Sequence, residues 1–295
     1  MPDLPAEVRE ATGDRRLAVG LVLTGITSVQ FGSALATEGF GDIGPGGTVF
    51  LRTLFAAIVL VAVWRPAVAA ISRSTARDIA LFGLTLAMMN LCFYEALHRL
   101  PLGIAVTLEF VGPLTVAIAG SRSRLDLLWV ALAAGGILLL GPDVGDGLDP
   151  LGVALALTAG AFWGLYILLS ARVGRGPSGL GGLAVAMVVA AIILIPIGVI
   201  DGGTGLLEPA MLAIGLGVAI LSSALPYTVE LEALRRLPER TFGVMLSLEP
   251  AVAALVGVVV LGQDLVGREI IAIAFVVIAS AGALSSADAI EAPQG

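Results

Sequence analysis

Apolar residues in this chain neither alternate nor form stripes; they come in long unbroken runs. Runs close to twenty residues recur at 17–37, 47–64, 77–97, 102–120, 125–141, 151–171, 180–200, 210–234, 240–261 and 267–286. About twenty apolar residues, rising 1.5 Å each as a helix, cross the hydrocarbon of a bilayer. The pattern therefore predicts an all-α integral membrane protein with ten transmembrane helices. Several polar breaks, such as His98–Pro101 and Ser121–Arg124, are only a few residues long, so consecutive helices are expected to be antiparallel neighbours. Residues Met1–Asp14 are mixed in charge and contain proline, which predicts a short disordered tail. The first apolar run exceeds a signal-peptide core and shows no clear cleavage site, so it reads as a retained helix.

Composition agrees with this reading. Of 295 residues 58% are hydrophobic and 13% charged, against roughly 25% charged in soluble domains, and the mean hydropathy is +1.01. The net charge of −7 gives no reason to expect nucleic acid. All sixteen basic residues are arginine. Without lysine there is neither a Walker-type phosphate loop nor a Schiff-base amine. One Cys (Cys92) and one His (His98) leave no internal disulfide and no site built from several His or Cys ligands. No cofactor, metal or enzymatic activity is expected.

Arginine placement sets the orientation. With the N-terminus cytoplasmic, 13 of the 16 arginines fall on the cytoplasmic side, while Arg99 and Arg268 fall outside and Arg52 lies within a span. The outer breaks are acidic, with Glu38, Asp42, Asp143, Asp146, Asp149, Asp201 and Glu208. Both termini are therefore expected in the cytoplasm, and the protein in the inner (plasma) membrane.

The chain also repeats itself. ALHRLP at Ala96–Pro101 returns as ALRRLP at Ala233–Pro238, 137 residues later, and Pro113 is answered by Pro250 at the same offset. This predicts a first repeat over 17–141 and a second over 151–286, flanked by cytoplasmic tails at 1–16 and 287–295. Five helices per copy is an odd number, so the copies are expected to run in opposite directions. Inverted repeats are characteristic of secondary transporters, with the substrate near the midplane between the halves.

A carboxylate inside the bilayer costs about 2.5–3.5 kcal/mol even on the lenient insertion scale, so each one calls for an explanation. Glu95 and Glu232 each precede an arginine by four residues at a helix end, which suggests interfacial ion pairs. Glu249 is nine residues beyond Arg240, about 13–14 Å into its helix, and Pro250 should free the carbonyl of Leu246. Glu249 is expected to be functional, the bland alternative being a protonated acid bonded to a neighbouring helix. Glu109 is about 10–12 Å inside from the outer face, and Pro113 frees its own carbonyl. Arg52 is its natural charge partner, as a structural pair or as a gate or substrate clamp.

Ser223, Tyr227 and Glu230 share one face of the eighth predicted helix, and Asn90 and Tyr94 one face of the third. Asn90 is the repeat partner of Tyr227. Gln30, Trp163 and Tyr166 add polar heads and aromatic area suited to a small amphipathic ligand. For the aromatics, a place in the interface belt is the competing reading. Gly160 and Gly164 form a GxxxG pair that suggests close helix packing.

Beyond these physical readings, Leu100–Ile118 (LPLGIAVTLEFVGPLTVAI), Ser121–Leu140, Ala161–Ser170 (AFWGLYILLS) and Ala219–Gly257 resemble the EamA-type branch of the drug/metabolite transporter superfamily. Within that branch they are most like the threonine/homoserine exporter subfamily. The resemblance covers most of the chain. It implies an inner-membrane exporter of amino acids or related metabolites, driven by an ion gradient rather than ATP. Two positions depart from the family pattern: the Gly-Glu expected after the ninth helix stands as Gly262-Gln263-Asp264, and Glu95 falls where a neutral residue is expected. The expected substrate contacts are Asn90, Tyr94, Glu109, Trp163, Tyr166, Tyr227, Glu230 and Glu249, with Glu249 and Glu109 exchanging the proton. Expected partners are a small amino-acid-like solute, membrane lipid and a proton or other ion gradient. A homodimer and a monomer both stay open, as does a passive metabolite channel.

Overall fold

The computed structural model describes residues 6–66, 72–119, 126–140, 148–174, 179–234 and 245–286, and these are helical with short connections. In chain order the α-helices are α1 (Ala6–Thr37), α2 (Phe40–Trp64), α3 (Arg73–Leu97), α4 (Leu102–Glu109), α5 (Val111–Ala119), α6 (Asp126–Leu140), α7 (Pro150–Gly174) and α8 (Gly179–Gly202). They continue with α9 (Pro209–Ala219), α10 (Leu225–Leu234), α11 (Glu249–Leu261) and α12 (Gly267–Ser286). A π-helical turn, Ile220–Ala224, joins α9 to α10. Among the described residues, six segments are long and apolar enough to cross a membrane: Leu17–Thr37, Phe40–Trp64, Arg73–Leu97, Pro150–Ser170, Gly181–Leu207 and Pro209–Glu230.

Two helix starts differ from the sequence reading. Helix α1 begins at Ala6, so much of the stretch expected to be disordered is helical. Its residues (AEVREA) are mostly good helix formers with an acid in the first turn, where the dipole favours negative charge. Helix α2 begins at Phe40 rather than at 47 and bends at Gly44, whose φ of 66° lies in the left-handed region that glycine tolerates. Pro45 then opens the straight part of α2. Asp201, on α8, accepts a hydrogen bond from the Gly46 amide at 3.1 Å, satisfying a donor left free at this restart. One of the acids read simply as outer charge is thus a cap supplied from 155 residues away.

Two predicted spans are broken near their middles. The fourth divides into α4 and α5 at Phe110, three residues before Pro113. The ninth has a turn at Ser247–Leu248, and α11 starts at Glu249 with Pro250 in its first turn. Proline lacks the N–H and its ring clashes with the carbonyl four residues back, which explains both breaks. They lie 137 residues apart, the same offset as ALHRLP and ALRRLP. The turn carrying Arg235, Arg236 and Arg240 falls outside the described residues, and with it any pairing of Glu232 to Arg236.

The principal helix contacts pair α2 with α8, α3 with α7, α6 with α12, α3 with α8, α1 with α10 and α4 with α11. Small residues allow the closest of them. A side chain at Gly112 would collide with the backbone carbonyl of Gly160, and one at Gly160 would come within 2.5 Å of the carbonyl oxygen of Glu109. Helix α7 therefore crosses the α4/α5 break backbone to backbone, as the GxxxG pair suggested. Gly164 faces Gly112 and Val116 one turn further on.

Candidate functional site: a buried polar cluster at the helix breaks

The straight part of α2 places Arg52 seven residues beyond Pro45, about 10 Å along the axis and deeper than a helix starting at 47 would put it. Its side chain is buried, with 7% exposed. The guanidinium Nη1 donates to Asn90 Oδ1, and Nη2 donates to the backbone carbonyl of Ser222 at 3.0 Å. That carbonyl is free because the residue four places on is Pro226, which has no N–H to offer it. The π turn is the local result. Asn90 is oriented in turn by its Nδ2, which donates to Leu86 O at 2.7 Å. The ring of Tyr94 lies 5.5 Å from the guanidinium carbon, within cation–π range.

The Arg52–Glu109 ion pair allowed by the sequence is not formed. Among the described residues no carboxylate lies within ion-pair distance of Arg52, since Asn90 and the freed Ser222 carbonyl occupy its near side. Glu109 is buried at the end of α4, close enough to Arg52 for the two charges to be felt. Glu249 is buried at the first turn of α11 and within electrostatic reach of both Glu230 and Glu109. Glu230, on α10, rests against Gly25 of α1, near enough that a Cβ there would contact its carboxylate. Tyr227 is half-buried on α10, one turn before Glu230, and Tyr166 is half-buried on α7.

The remaining predicted residues frame this group. Trp163 packs edge-on to Phe110 with centroids 5.4 Å apart, covering the α4/α5 break. Tyr166 packs against Phe82 at 5.4 Å. Gln30 is buried on α1 with its side-chain oxygen unpartnered, and the hydroxyls of Tyr94, Ser222 and Ser223 are likewise buried without partners. Ser222 and Ser28 were not anticipated; Ser28 Oγ donates to Leu221 O at 2.7 Å, holding α1 to the π turn. The signal available for both was Pro226, four residues after Ser222.

At the C-terminal end of α3 the predicted Glu95–Arg99 pair is present. Arg99 binds Glu95 at 2.5 Å and lies 3.7 Å from Asp149. The departure at Gln263 also has a structural role. Its Oε1 accepts from the Leu102 amide at 3.0 Å, at the start of α4. An acceptor oxygen is what that position uses, and glutamine supplies one.

Comparison with known proteins decides the family. The model of the EamA-like transporter family matches residues 150–285. The threonine/homoserine exporter RhtA of Salmonella typhimurium strain LT2 is 42% identical over 271 residues, covering 90% of each chain. The threonine/homoserine exporter RhtA of Escherichia coli strain K12 is 40% identical over the same length, again with 90% of each chain covered. The chain belongs to the EamA-like transporter family. A solved crystal structure aligns over 92% of this chain and 99% of its own at a TM-score of 0.61 and 20% identity, a likeness of fold alone. With its long apolar helices, this member of the EamA-like family is a multi-pass membrane protein.

Proposed function

We propose that this EamA-like protein is a secondary active transporter that exports threonine- or homoserine-like amino acids across the inner membrane in exchange for protons. The observation that carries the reading is the buried cluster itself. A buried arginine, two buried carboxylates (Glu109 and Glu249) and the half-buried Glu230 lie near the places where proline has opened the helix backbone, in a protein otherwise built from apolar helices. Charges so placed are expensive and mark substrate or ion pathways, and the similarity to threonine/homoserine exporters supplies the substrate class.

Ten spans in two inverted repeats, with both termini cytoplasmic, fit the packing. Exchanging each predicted span with the one five places on maps α2–α8, α4–α11 and α6–α12 onto themselves, and α1–α10 onto α7–α3. The matched breaks before Pro113 and Pro250 obey the same operation. In this reading α3, α4, α10 and α11 line the substrate path, where Asn90, Tyr94, Tyr227 and Glu230 orient the solute.

Glu249 is the residue on which a proton and the solute's ammonium group compete, with Glu109 assisting. Ionised, its carboxylate attracts the ammonium group; protonated, it is neutral and lowers the cost of returning the empty carrier. Helix α11 starts at Glu249, so its free N–H groups lie beside the ionised form. Counterflow of labelled threonine and homoserine in proteoliposomes tests the assignment. Saturable flux, stimulated by unlabelled solute on the far side and driven by a pH difference, is expected. Linear flux without counterflow would identify a passive channel instead.

A further inference from the structure

The surroundings of Arg52 differ from those of an arginine that serves structure alone. Its guanidinium offers five N–H donors in a rigid fork. Two are used, and both acceptors are neutral: Asn90 Oδ1 and the Ser222 carbonyl. Among the described residues the buried Nε–H has no partner. A buried cation normally takes a carboxylate, because otherwise its desolvation is only partly offset. Here the nearby carboxylates stand off, while the amide of Asn90 and the π turn hold the fork in a fixed orientation. Tyr94 OH and Ser222 Oγ add further unused hydrogen-bonding capacity beside these contacts. The arrangement is a preorganised, incompletely satisfied positive site in a water-poor interior.

We infer that Arg52, positioned by Asn90 and the carbonyl of Ser222, is the receptor for the α-carboxylate of the transported solute. This rests on the reading of the solute as an amino acid. The carboxylate completes the guanidinium's hydrogen bonding and accepts from the Tyr94 hydroxyl. The ammonium end is then left for the acids Glu230 and Glu249, with Tyr227 one turn before Glu230 on α10. Recognition is thus of a zwitterion, and analogues without the carboxylate bind poorly.

Binding of L-threonine and L-threoninamide to the purified full-length protein, followed by ligand-dependent melting and radioligand competition, tests the assignment. The wild type is expected to bind threonine at least ~30-fold more tightly than the amide, the scale of losing one partner of a buried charge pair. Arg52→Gln should bind both equally and weakly. Asn90→Asp keeps the shape of the side chain and supplies the missing carboxylate in cis. It should fold, melt above the wild type without ligand, and lose threonine binding by a similar factor. Should Arg52→Gln fail to fold, Asn90→Asp is read on the ratio of the two ligands: it should lose the preference for threonine over threoninamide, whereas loss of Asn90 as a solute contact alone would weaken both ligands alike and keep the preference. Equal wild-type affinity for threonine and its amide, or undiminished threonine binding or an undiminished preference for threonine in Asn90→Asp, overturns the inference. A wild type that binds no amino acid overturns the substrate class beneath it as well.

Discussion

Arg52 and Arg99 are the same residue in two parts of one membrane protein, and they are treated oppositely. Arg99, just beyond the C-terminal end of α3 and partly exposed, is matched by two carboxylates, Glu95 at 2.5 Å and Asp149 at 3.7 Å. Arg52, in the buried middle of α2, has only neutral partners among the described residues although Glu109 lies within electrostatic range. Where water is near, charge is neutralised locally and little is at stake, because exposed pairs contribute roughly 0–1 kcal/mol. Where water is excluded, charges of both signs are kept apart. Keeping them apart is costly, and a carrier that binds zwitterions and protons has a use for it.

Glu249→Gln is expected to have the largest effect on the interior side of this contrast. Proton-driven accumulation of threonine in vesicles should collapse to unity while solute exchange persists. Full coupling in that variant would remove Glu249 from the mechanism. A smaller effect is expected from Gly160→Val, which pushes a side chain against the Glu109 carbonyl, 2.5 Å from where its Cβ would sit. Overpacking of this kind typically costs about 1–3 kcal/mol, read as a lower melting temperature in detergent. An unchanged melting temperature would mean that the α4/α5 break does not depend on close contact with α7. The smallest effect belongs to the outer side. Glu95→Gln removes an i,i+4 pair worth about 0.2–0.5 kcal/mol, so transport should stay within roughly twofold of wild type. A severe loss there would make the outer end part of the working site.

The same contrast separates what could be read from the chain from what could not. The six long apolar helices were legible because a bilayer demands about twenty apolar residues in sequence, and the Glu95–Arg99 pair because i,i+4 neighbours on a helix must meet. The prolines marked both mid-span breaks, and GxxxG marked the α5–α7 crossing. The early start of α2 was hidden because its restart at Pro45 is capped by Asp201 from α8. That shift also concealed how deep Arg52 lies. Its partners were out of reach for the same reason: Asn90 is on another helix, and the Ser222 carbonyl becomes an acceptor only through Pro226 and the π turn. Electrostatic matching suggested Glu109, whereas backbone geometry delivered a carbonyl.

Replacing each arginine by lysine tests most directly whether the interior charge works on the solute and the outer charge only on the fold. Lysine keeps the positive charge but loses the planar fork. Threonine counterflow at matched protein levels should fall about tenfold for Arg52→Lys, equivalent to roughly 1.4 kcal/mol, and stay at the wild-type rate for Arg99→Lys. Equal rates in the two variants would contradict the division between a working interior and a structural rim.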